Sequence, residues 1–222
     1  MHAILPHHCA LCGATALNRL LCASCDADLP HYRIPACPVC ALPAQGGNLC
    51  GACLRHPAAF DRTLAAFSYR FPIDRLLHAF KYSGNLALIE VLAKPLARFA
   101  AEHPKPDLLL PMPLHPERLK ERGFNQSLEI AKSISRRLGV PLRPDACRRT
   151  RDTQSQAGLK WKERRRNVRG AFACDLDLAG KKIAVLDDVM TTGATLDEIS
   201  RILKGRGAAE VSAWVVARTL PE

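Results

Sequence analysis

Residues 183–195 read I-A-V-L-D-D-V-M-T-T-G-A-T. The apolar run Ile183, Ala184, Val185, Leu186 predicts a short buried strand. It delivers Asp187 and Asp188 to the carboxyl end of a parallel sheet, where open α/β folds bind ligands. Thr191, Thr192, Gly193, Ala194 and Thr195 then turn into a helix, whose starting amides and hydroxyls attract phosphate. Gly193 permits close backbone approach. Adjacent carboxylates beside such a cradle can hold sugar hydroxyls or a divalent cation. Threonines also cap ordinary helices, but a paired acid with three hydroxyls between positions 187 and 195 exceeds what a cap requires. No G-x-x-x-x-G-K-[S/T] occurs, which argues against a Walker-type nucleotide site.

The second chemical signal is cysteine. Eight of the ten cysteines form four Cys-x-x-Cys pairs: Cys9/Cys12, Cys22/Cys25, Cys37/Cys40 and Cys50/Cys53. The second four repeat the first at an offset of 28 residues, so two C-x2-C-x9-C-x2-C units stand in tandem. A Cys-x-x-Cys turn lets two thiolates grip one tetrahedral ion. Redox pairs or plain buried thiols do not explain the strict period. Two structural zinc ions are expected, one per unit if pairing is local; a cross-braced pairing is also open. Residues 1–60 hold few large apolar side chains, so metal binding supplies the folding energy there, on the order of 10–16 kcal/mol per site in small peptides. His7 and His8 read as solvated tail.

Strands and helices must position these groups. Residues 63–71 (TLAAFSYRF) predict a strand, 73–81 a helix, and 86–101 a helix with Pro95 as a possible kink. Residues 107–113 predict a short buried strand running into a loop, and 126–138 a helix. Phe172 falls in a strand, 194–205 form a helix, and 211–217 a last strand. This alternation predicts a parallel sheet with helices on both faces.

Composition is that of a globular chain: 222 residues, 48% hydrophobic and 24% charged. No apolar run approaches the roughly 18 residues of a membrane span. The first residues lack the basic and apolar regions of a secretory signal. A cytoplasmic protein with reduced thiols is expected, which disfavours a disulfide framework. The formal charge is +11, and residues 143–169 carry much of it, with ten basic and three acidic side chains. A pyrophosphate clamp needs only two or three charges, so the surplus points to a polyanion such as nucleic acid, unless it is simply a solvated basic helix. Trp161 within the cluster could stack on a base or pack on the domain.

The acid–threonine segment resembles the 5-phosphoribosyl-1-pyrophosphate (PRPP) signature of type I phosphoribosyltransferases, and the whole chain resembles the ComF/GntX family of competence-related proteins within that superfamily. The resemblance is carried by the double zinc ribbon, F-K-Y-x-G at 80–84, P-M-P-L-H at 111–115, R-x-x-x-R-G-F-N-Q at 118–126, T-x-x-Q at 153–156 and R-x-x-N-x-R-G-A-F at 164–172. It implies a zinc ribbon over residues 1–60 and a phosphoribosyltransferase-like domain over 61–222, with a hood around 61–106. It implies that Thr191, Thr192, Gly193, Ala194 and Thr195 take the ribose 5-phosphate, and that Asp187 and Asp188 take the ribose hydroxyls and carry any catalysis. Met112, Pro113, Leu114 and His115 would form the pyrophosphate loop, helped by Mg2+. Residues 148–166 would cover the leaving group. Arg118, Arg122, Arg149, Arg151, Arg164, Arg165 and Arg166 are candidates for pyrophosphate or nucleic-acid contact.

Two functions follow from that resemblance. One is a protein of DNA uptake that binds PRPP and single-stranded DNA, with a competence helicase as a possible partner. The other is an active phosphoribosyltransferase with a nitrogenous acceptor. The two are compatible. A transcriptional regulator is disfavoured because no helix-turn-helix is apparent.

Overall fold

The computed structural model describes residues 8–16, 19–151 and 161–221. His7 and the T-x-x-Q motif, with Thr153 and Gln156, lie outside the described residues. Four strands form the main sheet: β1 (Arg62–Ser68), β2 (Leu108–Pro111), β5 (Lys182–Met190) and β6 (Glu210–Arg218), in the order β1-β6-β5-β2. All neighbouring pairs are parallel. Two three-residue strands, β3 (Cys147–Arg149) and β4 (Phe172–Cys174), pair antiparallel beside it.

Side chains alternate across the sheet, so each strand feeds two cores. Ala184 and Leu186 of β5, with Trp214 and Val216 of β6, pack under α3 (Ile73–Ser83), α4 (Ile89–Ala101) and α6 (Gln126–Leu138). Ile183 and Val185, with Val211, Ala213 and Val215, face α8 (Ala194–Gly205) and the β3–β4 pair. The predicted bounds of α6 and α8 hold. Asn125 caps α6 through its side chain, accepting from the amides of Ser127 and Leu128, and Gly139 ends that helix in the left-handed region.

Several expectations need correction. The strand predicted to run to residue 71 stops at Ser68, because Tyr69 and Phe71 turn outward into solvent. The helix predicted from residue 86 begins as a 3-10 turn, Leu86–Leu88, and becomes α-helical only at Ile89. Pro95 lies inside α4 without ending it; its ring removes a single amide donor. An unpredicted helix, α5 (Pro116–Arg122), leads into the motif at 118–126, with Pro116 at its first turn and Gly123 in the left-handed region. β5 runs to Met190, four residues beyond the predicted end at Leu186.

The 28-residue repeat is visible in the backbone. The bridge His8↔Thr15 recurs as Ala36↔Pro43, and α1 (Ala23–Ala27) recurs as α2 (Gly51–Arg55). The chain between the two units closes the free edge of β1: Tyr32 donates its amide to Ala66 O at 2.9 Å, and Ser68 donates to Pro30 O at 2.8 Å. An edge strand covered in this way is no longer a template for unwanted pairing. The first unit contributes Ala16, Leu21 and Leu29 to the α3–α4–α6 core, and the second contributes Ala41 to the α8 core. The ribbon therefore straddles β1 and shares the cores of the sheet.

Candidate functional site

Each cysteine unit gathers its own four sulfurs. Cys9, Cys12, Cys22 and Cys25 form one cluster and Cys37, Cys40, Cys50 and Cys53 the other, the Sγ atoms of each lying within 4.8 Å of one another. Pairing is thus local and not cross-braced. The Cys12–Cys22 and Cys40–Cys50 sulfurs are 3.7 and 3.6 Å apart, close to the edge of about 3.8 Å that a tetrahedron with 2.3 Å zinc–sulfur bonds requires. Burial acts to raise the Cys9 and Cys37 thiols, but surrounding amides outweigh it and bring them down to about 6 and about 7. The amides of Cys12, Cys22 and Leu11 do this at Cys9, and those of Cys40, Cys50 and Val39 at Cys37. One thiolate in each cluster is thereby prepared for metal. The turn after each first pair needs a left-handed residue; Gly13 supplies it in the first unit, and Ala41, at φ 51°, in the second. His8 Nδ1 donates to Gly13 O at 3.0 Å, and the ring joins neither cluster.

The acid pair lies inside β5 and not at its end. Asp188 is 5% exposed and forms an ion pair with Lys81 of α3. Strand parity explains this: Asp188 follows Ala184 and Leu186 onto the face where α3 packs. Sequence reasoning quoted Lys81 within F-K-Y-x-G but gave it no role. Burial opposes ionisation at Asp188, yet the Lys81 ammonium holds its carboxyl below the usual range, and Lys81 is raised in turn. Asp187 is pushed up to about 8, first by burial and then by the neighbouring Asp188 charge. It accepts from Ser127 Oγ at 3.3 Å and from the Asp188 amide at 2.9 Å. Among the described residues one ammonium therefore faces two carboxyls, a charge balance that a further cation or hydroxyl donors would complete.

Beyond β5 the chain makes the expected turn. Gly193 adopts φ 78° as N-cap of α8, and a Cβ there would lie 2.8 Å from Met190 Cε. Thr192 Oγ1 accepts from the Ala194 amide at 3.4 Å. The left-handed conformation is what requires glycine at position 193; the Met190 Cε contact adds to it, although that side-chain end can move. Opposite, Met112 extends the β2–β5 pairing by donating to Leu186 O at 2.8 Å, and Asn125 Nδ2 donates to Met112 O at 3.1 Å. Pro113 is buried, Leu114 and His115 are half-buried, and His115 caps α5 by accepting from the Glu117 amide. The acid pair thus lies in the carboxyl-end half of β5, and the turns at 112–115 and 191–195 follow the carboxyl ends of β2 and β5.

The arginines divide. Arg122 lies over the Tyr82 ring at 5.4 Å and close enough to Lys81 to lower it by charge. Arg166 and Arg169 line a cleft of about 540 Å3 with Ala194, Asp197, Glu198 and Arg201 of α8. Arg149 stacks at 5.5 Å on Phe172, and Arg151 donates to Arg169 O at 2.7 Å, so both brace the β3–β4 base. Arg148 pairs with Asp175, and Arg118 with Glu121. Arg164 and Arg165 belong to α7 (Trp161–Val168) by backbone, and their side chains, with that of Trp161, are outside the described residues. No helix among the described residues is long and apolar enough to cross a membrane.

Comparison with known proteins agrees with this architecture. Residues 1–54 match the double zinc ribbon domain and residues 125–220 the phosphoribosyl transferase domain. The chain is 37% identical over 191 residues to DNA utilization protein YhgH of Escherichia coli O157:H7, covering 83% of this chain and 84% of that one. It is 30% identical over 208 residues to competence protein F of Haemophilus influenzae, covering 89% and 90%. Among solved structures, a purine phosphoribosyltransferase from Pyrococcus horikoshii aligns with 59% of this chain and 82% of its own, at 20% identity and a TM-score of 0.39.

Proposed function

Since the chain belongs to the ComF-like family of DNA utilization and competence proteins, a double zinc ribbon joined to a phosphoribosyltransferase fold, we propose that it binds PRPP with Mg2+ and single-stranded DNA and acts in DNA uptake. The observation that carries the PRPP reading is the acid pair in β5, held by a single lysine and followed at once by a glycine-started helix turn. Asp187 and Asp188 take the ribose hydroxyls, and residues 191–195 take the 5-phosphate at the start of α8. The 112–115 turn takes the pyrophosphate. The carboxyl pair suits a hard cation, because burial and the neighbouring Asp188 charge push Asp187 up to about 8 despite the Lys81 ammonium, and added positive charge would relieve this. Mg2+ there supplies charge neutralisation for the pyrophosphate. Zinc is structural, held by the two cysteine clusters.

The DNA reading is supported by the basic excess of residues 143–169 and by Arg166 and Arg169 on the rim of the α8 cleft. Arg164, Arg165, Arg166 and Arg122 supply phosphate contacts, and a helicase that delivers single strands is a fitting partner. The test is a filter-binding titration with single-stranded DNA across salt. Log affinity should fall with log salt at about 0.7 per phosphate neutralised, and alanine at 164, 165 and 166 should weaken all sequences alike. Salt-independent binding, or a triple variant that binds normally, overturns the basic segment's role. The same samples, given PRPP, Mg2+ and candidate bases, report by pyrophosphate release whether transfer follows binding.

A further inference from the structure

Arg218 ends β6 as the single charge in the stretch E-V-S-A-W-V-V-A-R that follows Glu210. It is 3% exposed. An arginine this deep needs partners for its donors. Its partners are backbone carbonyls from three separate parts of the chain. Nε donates to Cys40 O at 2.8 Å. Nη1 donates to Met190 O at 3.0 Å, to Thr191 O, and to Thr219 O at 2.7 Å. Cys40 is a member of the second cysteine cluster. Met190 and Thr191 are the last residue of β5 and the first of the 191–195 turn. Register explains the convergence: Arg218 stands opposite Met190 on one side and Ser68 of β1 on the other, at the carboxyl end of an interior strand, where Cys40 O of the second unit reaches it. Burial lowers the Arg218 pKa, while the sulfurs of Cys40, Cys50 and Cys53 and the Tyr32 hydroxyl act against that.

The geometry points to Arg218 as a positioning residue that ties the second cysteine cluster to the turn at 191–195, so that metal occupancy of that cluster sets the order of the turn. A metal held by Cys37, Cys40, Cys50 and Cys53 fixes the backbone at Cys40. Cys40 O then anchors one edge of the guanidinium, whose other donor holds the carbonyls that open the turn. The first cluster packs instead into the opposite core, with Cys9, Ala16 and Leu21. If the turn binds the 5-phosphate, a consequence that rests on the function proposed above, phosphate affinity follows the second metal and not the first, and the coupling is reciprocal.

The experiment is amide hydrogen exchange on the zinc-loaded full chain, following residues 191–195. In Arg218→Met, of similar length and apolar, these amides should exchange about tenfold faster or more, with zinc content unchanged. Arg218→Lys, which keeps the charge but not the fork, should fall between. Cys53→Ser should accelerate the same amides, and Cys25→Ser should not. Affinity for ribose 5-phosphate should drop in Arg218→Met, while affinity for pyrophosphate alone is preserved; a generally loosened fold would lose both. Unchanged exchange in Arg218→Met, or equal acceleration by Cys25→Ser and Cys53→Ser, overturns the proposal. Should Arg218→Met fail to fold, Arg218→Lys and the two cysteine variants decide it by the same exchange pattern. Absence of ribose 5-phosphate binding in the wild type, with the exchange pattern intact, would remove the ligand and leave the coupling standing.

Discussion

Replacing Lys81 with methionine leaves the Asp188 carboxylate buried without its counterion. The Asp188 side chain is 7% exposed and that of Lys81 22%. Removing one partner of a buried pair costs about 3–5 kcal/mol. The loss has a ceiling, because Asp188 can take up a proton instead. At pH 7 that step costs about 4 kcal/mol for a carboxyl with an ordinary pKa near 4. Partial access of Lys81 to water lowers the figure further, so about 2–4 kcal/mol is expected. At about 2–4 °C per kcal/mol for a chain of this size, the melting temperature falls by roughly 5–15 °C. Wild-type Asp188 has a depressed pKa. Its stabilisation is therefore present above the unfolded value near 4 and lost as pH falls through the folded value. The Lys81→Met deficit should accordingly be large at pH 7 and small near pH 4. Adding Asp188→Asn should restore most of the loss, since it removes the stranded charge. Urea unfolding of the four proteins of this cycle, with zinc present, gives the numbers. A deficit under about 0.5 kcal/mol, in the range of a solvated surface pair, or one that persists unchanged in the double variant, would refute the buried-pair reasoning.

Three further outcomes are expected. Gly193→Ala forces a side chain into φ 78° and against Met190 Cε; it should cost about 1–2 kcal/mol in stability and weaken PRPP binding, and a variant with wild-type melting and affinity would contradict the tight turn. Asp187 has a folded pKa raised to about 8, so its contribution is complete below the unfolded value near 4 and is lost as pH rises through about 8; Asp187→Asn should gain stability over wild type from pH 5 to pH 9, and a pH-independent difference would count against it. Elemental analysis of fresh protein should give about two zinc per chain, with Cys25→Ser and Cys53→Ser each losing one; a value near zero with disulfides seen by mass spectrometry would end the metal assignment.

How far the sequence carries is clearest at α8 and α6. Both have sharp apolar periodicity and glycines at their ends, and their bounds are legible to the residue. The cysteine repeat likewise foretells a doubled ribbon whose bridges and helices recur at the same spacing. The β3–β4 pair was legible only at Phe172, because three-residue strands carry no period to read. The depth of Asp188 was hidden for another reason. Two acids after four apolar residues look like a strand end, and only the lysine arriving from α3 makes their burial tolerable. Lys81, Ser127 and Arg218 act through contacts between distant segments, which local patterns do not encode. Arg218 left one trace, a lone charge closing an apolar run.

The central claim is that the acid pair and the turn after it form one PRPP site. Calorimetric titration of PRPP with Mg2+ into the wild type and into the Asp187→Asn, Asp188→Asn double variant tests it most directly. Saturable binding of one PRPP per chain, lost in the double variant while the fold and zinc content are kept, is the predicted result. No binding by the wild type at millimolar PRPP, or equal affinity in the double variant, would contradict it.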